Sequence, residues 1–315
     1  HGQWYDFSVF PPRALDPLQD SAIPLSGLAR ERGLEVLGYR PARRLVAAGR
    51  RDGVDLVWKG YRRGKLGEQA RKYQLAAKAL HGGEVGTVSI LEVDPEGDSM
   101  AMRREPGQRP RIAADCQAEL QLMGAGTRRL QALDAGSAAL EAFSRQQELE
   151  VLTERIRRLG LAGGSPPIGW EELRGKLEEA ASLAPPAQAV TAHRDLHDGQ
   201  WLVHRGRPCL LDFDLLCRAE PELDPANFLA HLELRRLQRP AHISDRDLQA
   251  CRGAFLAGLG LPNDSGSVAR LLFYQSAAFA RLALVYQLRP RWEGLVQELI
   301  TLGQTRLADL RSMAH

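Results

Sequence analysis

Two short stretches hold the side chains most able to do chemistry. In "TAHRDLHDGQWLV", residues 191–203, Asp195 and Asp198 share one loop with His193, His197 and Gln200, and "LLDFDLL" then sets Asp212 and Asp214 inside an apolar run. Ionised carboxylates buried in such a run are costly unless something neutralises them, so these acids need partners, and a metal ion is one possibility. The spacing has its own logic: Gln200 follows Asp195 by five residues and Asp212 follows Gln200 by twelve. A loop acid near an acceptor hydroxyl, with an amide oxygen and a second carboxylate converging on Mg²⁺, is the arrangement that phosphoryl transfer requires.

Some framework must hold these groups. "QWLVH", "RGRP" and "CLLDFD" read as a β-hairpin with the polar loop in front of it. Far upstream, "EVLGY", "RRLVAAG" and "VDLVWKGY" read as short strands, the last two joined at Asp52 and Gly53 as a hairpin. Residues 65–80 place Leu66, Ala70, Tyr73, Ala77 and Leu80 at helical steps and stop at Gly82 and Gly83. "TVSILEVD" and "SMAMRRE" supply two further strands. Residues 1–103 are therefore expected to form a small sheet with one helix, preceded over 1–33 by an extended arm, with "EPGQRP" as a hinge. Residues 104–315 should be mainly helical, with helices over 112–133, 136–158, 170–182, 222–238, 245–258, 267–288 and 291–312 around the one polar hairpin. The expected class is α+β in two lobes.

Composition narrows the options. With 315 residues and 44% hydrophobic content, the chain can bury one large core or two medium ones. Lys plus Arg at 42 against Asp plus Glu at 39 is too even to point to nucleic acid. Between Gly38 and Lys78, twelve basic residues stand against three acids, which suits a polyanion such as a nucleotide and equally a solvated arginine-rich face. Cys116, Cys209, Cys217 and Cys251 lack zinc or disulfide spacing, which favours a reducing cytoplasm. The most apolar segment, 271–288, carries Gln275, Arg281 and Gln287 and reads as a buried helix, so no membrane span is expected. His1 is an unlikely native start, so a preceding segment is expected to have been removed or replaced.

"HRDLHDGQ" followed by "LLDFD" resembles the catalytic motif of the aminoglycoside phosphotransferase and choline kinase family, H-G-D-x-H-x-x-N and then an acid-bearing strand. It also fits the spacing of the wider protein-kinase pattern. The resemblance spans roughly residues 40–230 and implies a bilobal protein-kinase-like fold. It implies Asp195 as the catalytic-loop acid, Gln200 and Asp212 as metal ligands, His193 as a structural member of the loop, and Asp224 of "ELDPANFLA" as a brace beneath it. Lys59 in "LVWKGY" resembles the family's phosphate-contacting lysine, with Glu68 on the next helix as its ion-pair partner, and Met102 lies where the adenine would stack near the hinge. Asp214 either binds a second metal or caps the hairpin. ATP and Mg²⁺ are the implied cofactors, and a hydroxyl-bearing small molecule the acceptor.

Three departures from the family pattern stand out. Gln200 replaces the usual Asn and offers the same amide oxygen on a longer stem. The strands before Lys59 lack G-x-G-x-x-G. Arg194 replaces a glycine and makes the loop look like that of protein kinases, but the short distance from "DFD" to "EPELDPANF", with no A-P-E, leaves no room for an activation loop. A nucleotide-binding pseudokinase is the alternative that the first two departures favour, whereas the joint presence of Lys59, Asp195 and Asp212 favours an enzyme. His197 is expected to brace the loop, His204 and His231 to lie on the surface or a helix face, Trp201 to pack in the core, and Glu220 and Glu222 to sit at a solvated helix start.

Overall fold

The structure, a computed structural model, describes residues 34–134, 140–239, 241–292 and 294–313, so the expected arm over 1–33 lies outside the described residues. An antiparallel sheet comes first, built from β1 (Glu35–Arg40), β2 (Arg44–Arg51), β3 (Val54–Tyr61), β5 (Ile90–Asp94) and β6 (Ser99–Arg103), in the order β1-β2-β3-β6-β5. Asp52 and Gly53 both have positive φ, 52° and 79°, so the β2–β3 turn has the twist that a two-residue hairpin needs. Alternation sends Leu45, Ala47, Leu56, Trp58 and Ala101 to one face, where they form a small apolar cluster. The opposite face takes helix α1 (Leu66–Leu80), which buries Leu66, Ala70, Tyr73, Ala76 and Leu80.

"TVSILEVD" is not one strand. Gly86 and Thr87 form a short β4 that leaves the first sheet and pairs in parallel with β9 (Arg207–Leu210), itself the partner of β8 (Trp201–His204). The hairpin read from "QWLVH" and "CLLDFD" thus carries a third strand from the first half of the chain. The helices that follow are α2 (Gln117–Gln131), α3 (Arg145–Leu161), α4 (Trp170–Leu183), α5 (Leu223–Gln238), α6 (Asp245–Leu259), α7 (Ser265–Tyr286) and α8 (Gly294–Met313). Helix α3 starts later than its expected position at 136, because Ser144 and Gln147 form a reciprocal capping box that fixes its N-terminus. Helices α2 and α6 touch at Gly124 and Gly258, where a Cβ would meet backbone oxygen at 2.0 and 1.9 Å. Although α7 is long and apolar enough to cross a membrane, Phe273, Ala277, Phe279, Ala280 and Ala283 along it are buried in the helical core, as expected for that segment. The chain is α+β, with an antiparallel sheet and one helix followed by a mostly helical part.

Candidate active site

Strand register builds the first half of the site. Arg44 lies opposite Tyr61 and Val46 opposite Lys59, so Arg44, Lys59 and Tyr61 project from one face of the sheet. That face looks onto the segment after β9, where Asp212 takes a left-handed conformation (φ 59°, ψ 71°) and starts the single 3₁₀ turn Phe213–Leu215. The turn aims both acids at the sheet. Lys59 Nζ donates to Asp212 Oδ1 at 2.6 Å, to Asp214 Oδ1 at 3.1 Å and to the Tyr73 hydroxyl at 2.5 Å. Tyr61 and Tyr73 each donate to Asp214 Oδ1 at 3.1 Å. Arg44 Nη1 pairs with Asp212 at 3.2 Å and also bonds Asp214.

Charge controls the protonation of this cluster. Burial alone would raise the Asp212 pKa, but the charges of Lys59 and Arg44 outweigh it and hold the carboxyl well below the ordinary range. Burial and the Asp214 charge push the Tyr61 and Tyr73 hydroxyls upward, so both remain neutral donors. The acids in the apolar run have their partners, and these are cations from the sheet.

Glu68 is not the partner of Lys59 in this arrangement. It pairs with Lys65 and Lys72, both at 2.9 Å, and these contacts lower its pKa. Tyr73 stands in its place, since five residues carry a side chain about 140° around a helix and Tyr73 lies on the buried stripe that Glu68 does not share. Lys72 reaches inward as well, donating to the Asp214 carbonyl at 3.1 Å. Met102, 3% exposed, lies with Met100, Tyr73 and Leu210 in one apolar cluster beside the site.

The loop before β8 forms the second half. Two backbone amides, those of His193 and Arg194, donate to the buried Asp224 carboxylate at 2.7 Å each. Asn227, one turn further along α5, donates to the Leu196 carbonyl at 2.8 Å. The His193 ring bonds the Leu211 carbonyl at 2.8 Å, linking this loop to the segment that carries Asp212. Asp195 sits half-buried between these anchors, and its own amide donates to His193 Nδ1 at 3.3 Å. The Gln200 carbonyl accepts from the Leu211 amide at 2.9 Å, so Gln200 lies directly beside the Asp212 backbone. The Gln200 side-chain amide has no protein partner among the described residues.

His197 braces the loop, its Nδ1 accepting from the Gly199 amide at 2.9 Å. His231 lies on α5, as expected of a helix-face residue, but does not stand free in solvent: it is half-buried, its ring stacks on His197 with centroids 4.5 Å apart, and burial drives both pKa values down. Nor are Glu220 and Glu222 solvated. Glu222 is 0% exposed and takes both Nε and Nη2 of Arg270 at 2.9 Å, while Glu220 holds Arg145 and the Tyr274 hydroxyl. The dipole favours acids at a helix start whether or not they are solvated, and here arginines from other helices reach them. Trp201 is fully buried and His204 exposed.

Arg44, Tyr61, Tyr73 and Asn227 were not singled out in the sequence. Period-two alternation from Lys59 gives Tyr61, and hairpin register from Asp52–Gly53 then gives Arg44. Asn227 stands three residues after Asp224 on the same helix face.

This two-part site, with cations on a small sheet and acids on a loop and hairpin of a helical lobe, is that of a kinase-like small-molecule phosphotransferase. The chain belongs to the phosphotransferase enzyme family, whose match covers residues 37–260. No curated protein matches it by sequence. Among solved structures it is similar to macrolide 2'-phosphotransferase MphH from Brachybacterium faecium, with 21% identity, 88% of this chain and 91% of that one covered, and a TM-score of 0.55. A choline/ethanolamine kinase family protein from Mesorhizobium loti matches at 18% identity over 94% and 92% of the two chains, with a TM-score of 0.55. The amicoumacin kinase hAmiN, solved with AMP-PNP, Ca²⁺ and amicoumacin, matches at 12% identity over 86% and 88%, with a TM-score of 0.61.

Proposed function

We propose that the protein transfers the γ-phosphoryl group of ATP, in the presence of Mg²⁺, to a hydroxyl of a small molecule. The observation that carries this reading is the convergence of Lys59 on Asp212 and Asp214, at 2.6 and 3.1 Å, beside a loop that presents Asp195. Asp212, Asp214 and the unpartnered Gln200 amide offer a set of hard oxygen donors, which fits Mg²⁺. A magnesium ion held by these residues would supply charge neutralisation at the nucleotide phosphates.

The chain's own residues supply the rest. Lys59 and Arg44, now on the two aspartates, are the cations that would hold the nucleotide phosphates. Asp195 orients the acceptor hydroxyl and takes its proton, and Asp224 and Asn227 keep the loop rigid enough for that geometry to hold. All four cysteines are free and buried, which supports a reducing compartment such as the cytoplasm.

The test is ADP release with a panel of hydroxylated metabolites, comparing the wild type with Asp195→Ala. Removing the loop acid should lower kcat by about 10²–10⁴-fold, the usual contribution of general-base catalysis. Equal background turnover in both proteins would favour a nucleotide-binding pseudokinase.

A further inference from the structure

Most buried arginines of the helical part have a carboxylate. Arg145 has Glu220, Arg270 has Glu222, Arg235 has Asp198 and Arg281 has Glu148. Arg155 on α3 differs. It has no ion-pair partner among the described residues, and its Nε is buried with no hydrogen bond. It stands seven residues after Glu148, two turns along the same helix face, and the charges that act on it most strongly are those of Arg281, Glu148, Asp195 and Arg40. Glu148 is already taken by Arg281, which also bonds Asn227 beneath the loop.

The place of this guanidinium is defined by what surrounds it. Asp195 belongs to the loop that would meet the acceptor, Arg281 to α7, and Arg40 to the end of β1. Lys59, Arg44, Asp212 and Asp214, the groups on the nucleotide and metal side, are not among its strongest charges. Burial and the neighbouring arginines lower its pKa to about 10, which still leaves it charged at neutral pH. A half-buried cation with unused donors and no carboxylate of its own is an incomplete ion pair.

We infer that Arg155 supplies the counter-charge for an anionic group, a carboxylate or a phosphate, carried by the acceptor molecule. This rests on the kinase reading and narrows it to hydroxylated acids or phosphorylated alcohols. A cationic acceptor such as an amino sugar would bring its charge against Arg155 and Arg40, so the same residues that select an anion exclude it.

The experiment uses the full chain and acceptors matched in shape but differing in charge: glucosamine, glucose, gluconate and glucose 6-phosphate, and likewise choline, glycerol, glycerate and glycerol 3-phosphate. ADP release and ligand-induced thermal shift in the presence of AMP-PNP are both read, for the wild type, Arg155→Gln and Arg155→Lys. Anionic members of a series should bind and turn over best in the wild type. In Arg155→Gln their KM should rise about 10- to 100-fold, the size expected for a lost charge-assisted hydrogen bond, with kcat and AMP-PNP affinity little changed. Arg155→Lys should restore part of the loss.

A preference for the cationic members, or an equal effect of Arg155→Gln on all charge classes, overturns the assignment. A weakened AMP-PNP affinity in Arg155→Gln also overturns it, because the anion is then the nucleotide's own phosphate. The thermal shift separates this inference from the kinase reading. Anion-selective stabilisation lost in Arg155→Gln supports Arg155 even if ADP release fails, and stabilisation indifferent to charge overturns it even if turnover is found.

Discussion

The acids after β9 and the acid in the loop before β8 sit close together, yet they are held in opposite ways. Asp212 and Asp214 are fixed by side chains from the sheet, Lys59, Arg44 and Tyr61, and from helix α1, Tyr73, none of which is near them in sequence. Asp195 is fixed from beneath, through backbone amides that Asp224 receives and a carbonyl that Asn227 binds. The first arrangement is a network of ion pairs and hydrogen bonds between side chains, which on the proposed reading a metal or nucleotide would exchange. The second is a backbone scaffold whose loss has no substitute. A site that must both bind a changing charge and keep one oxygen in place benefits from having the two separate.

The strongest way to break this contrast is Asp224→Ala. It strips the acceptor from two buried amides, each worth about 1–3 kcal/mol, so stability should fall by about 2–5 kcal/mol in urea unfolding, with activity lost alongside. Asp224→Asn keeps one carbonyl oxygen and should lose less. If Asp224→Ala folds as stably as the wild type, the loop is not held as described.

Lys59→Met attacks the other arrangement. Without Mg²⁺ the paired carboxylates lose one of their two cations and the thermal midpoint should fall, whereas excess Mg²⁺ should raise that midpoint more in the variant than in the wild type, where Lys59 and Arg44 already neutralise the acids. Equal Mg²⁺ shifts in both proteins would sink the idea of an exchangeable network.

Acid titration sharpens it further. The folded-state pKa of Asp212 lies below its unfolded value, so the stability it contributes is complete above about 3.9 and is lost as pH falls from there through the folded value. That acid-side loss should be shallower in Lys59→Met, where the depression is relieved. The smallest effect should come from Gln200→Asn, which shortens one stem by a methylene. It should move the Mg²⁺ midpoint of nucleotide binding while leaving the metal-free thermal midpoint unchanged, because the Gln200 side-chain amide has no partner among the described residues.

Legibility in the sequence followed distance along the chain. The loop, the hairpin and their acids were readable because "HRDLHDGQ" and "LLDFD" are contiguous and turn chemistry is local. Helices α4 to α6 were placed nearly to the residue for the same reason, since the apolar period is written within each segment and Ser244 with Asp247 caps α6. What escaped were pairings over long separations: Arg44 on Asp214, Tyr73 in the place given to Glu68, and Glu222 on Arg270. An isolated charge at a helix start reads as solvated until the arginine that covers it is known. Strand β4 escaped because two residues carry too little alternation to declare a partner in another sheet.

That short strand has a mechanical consequence. Gly86 and Thr87 pair with Cys209 and Leu210, and the Thr87 hydroxyl donates to the Leu210 carbonyl at 3.1 Å, immediately before the turn that carries Asp212. The stretch joining helix α1 to the rest of its sheet is therefore riveted to the strand that leads into Asp212 and Asp214. The Thr87 side chain is thus joined to the residue two before Asp212, so the connection out of helix α1 and the turn bearing the acids are held as one piece.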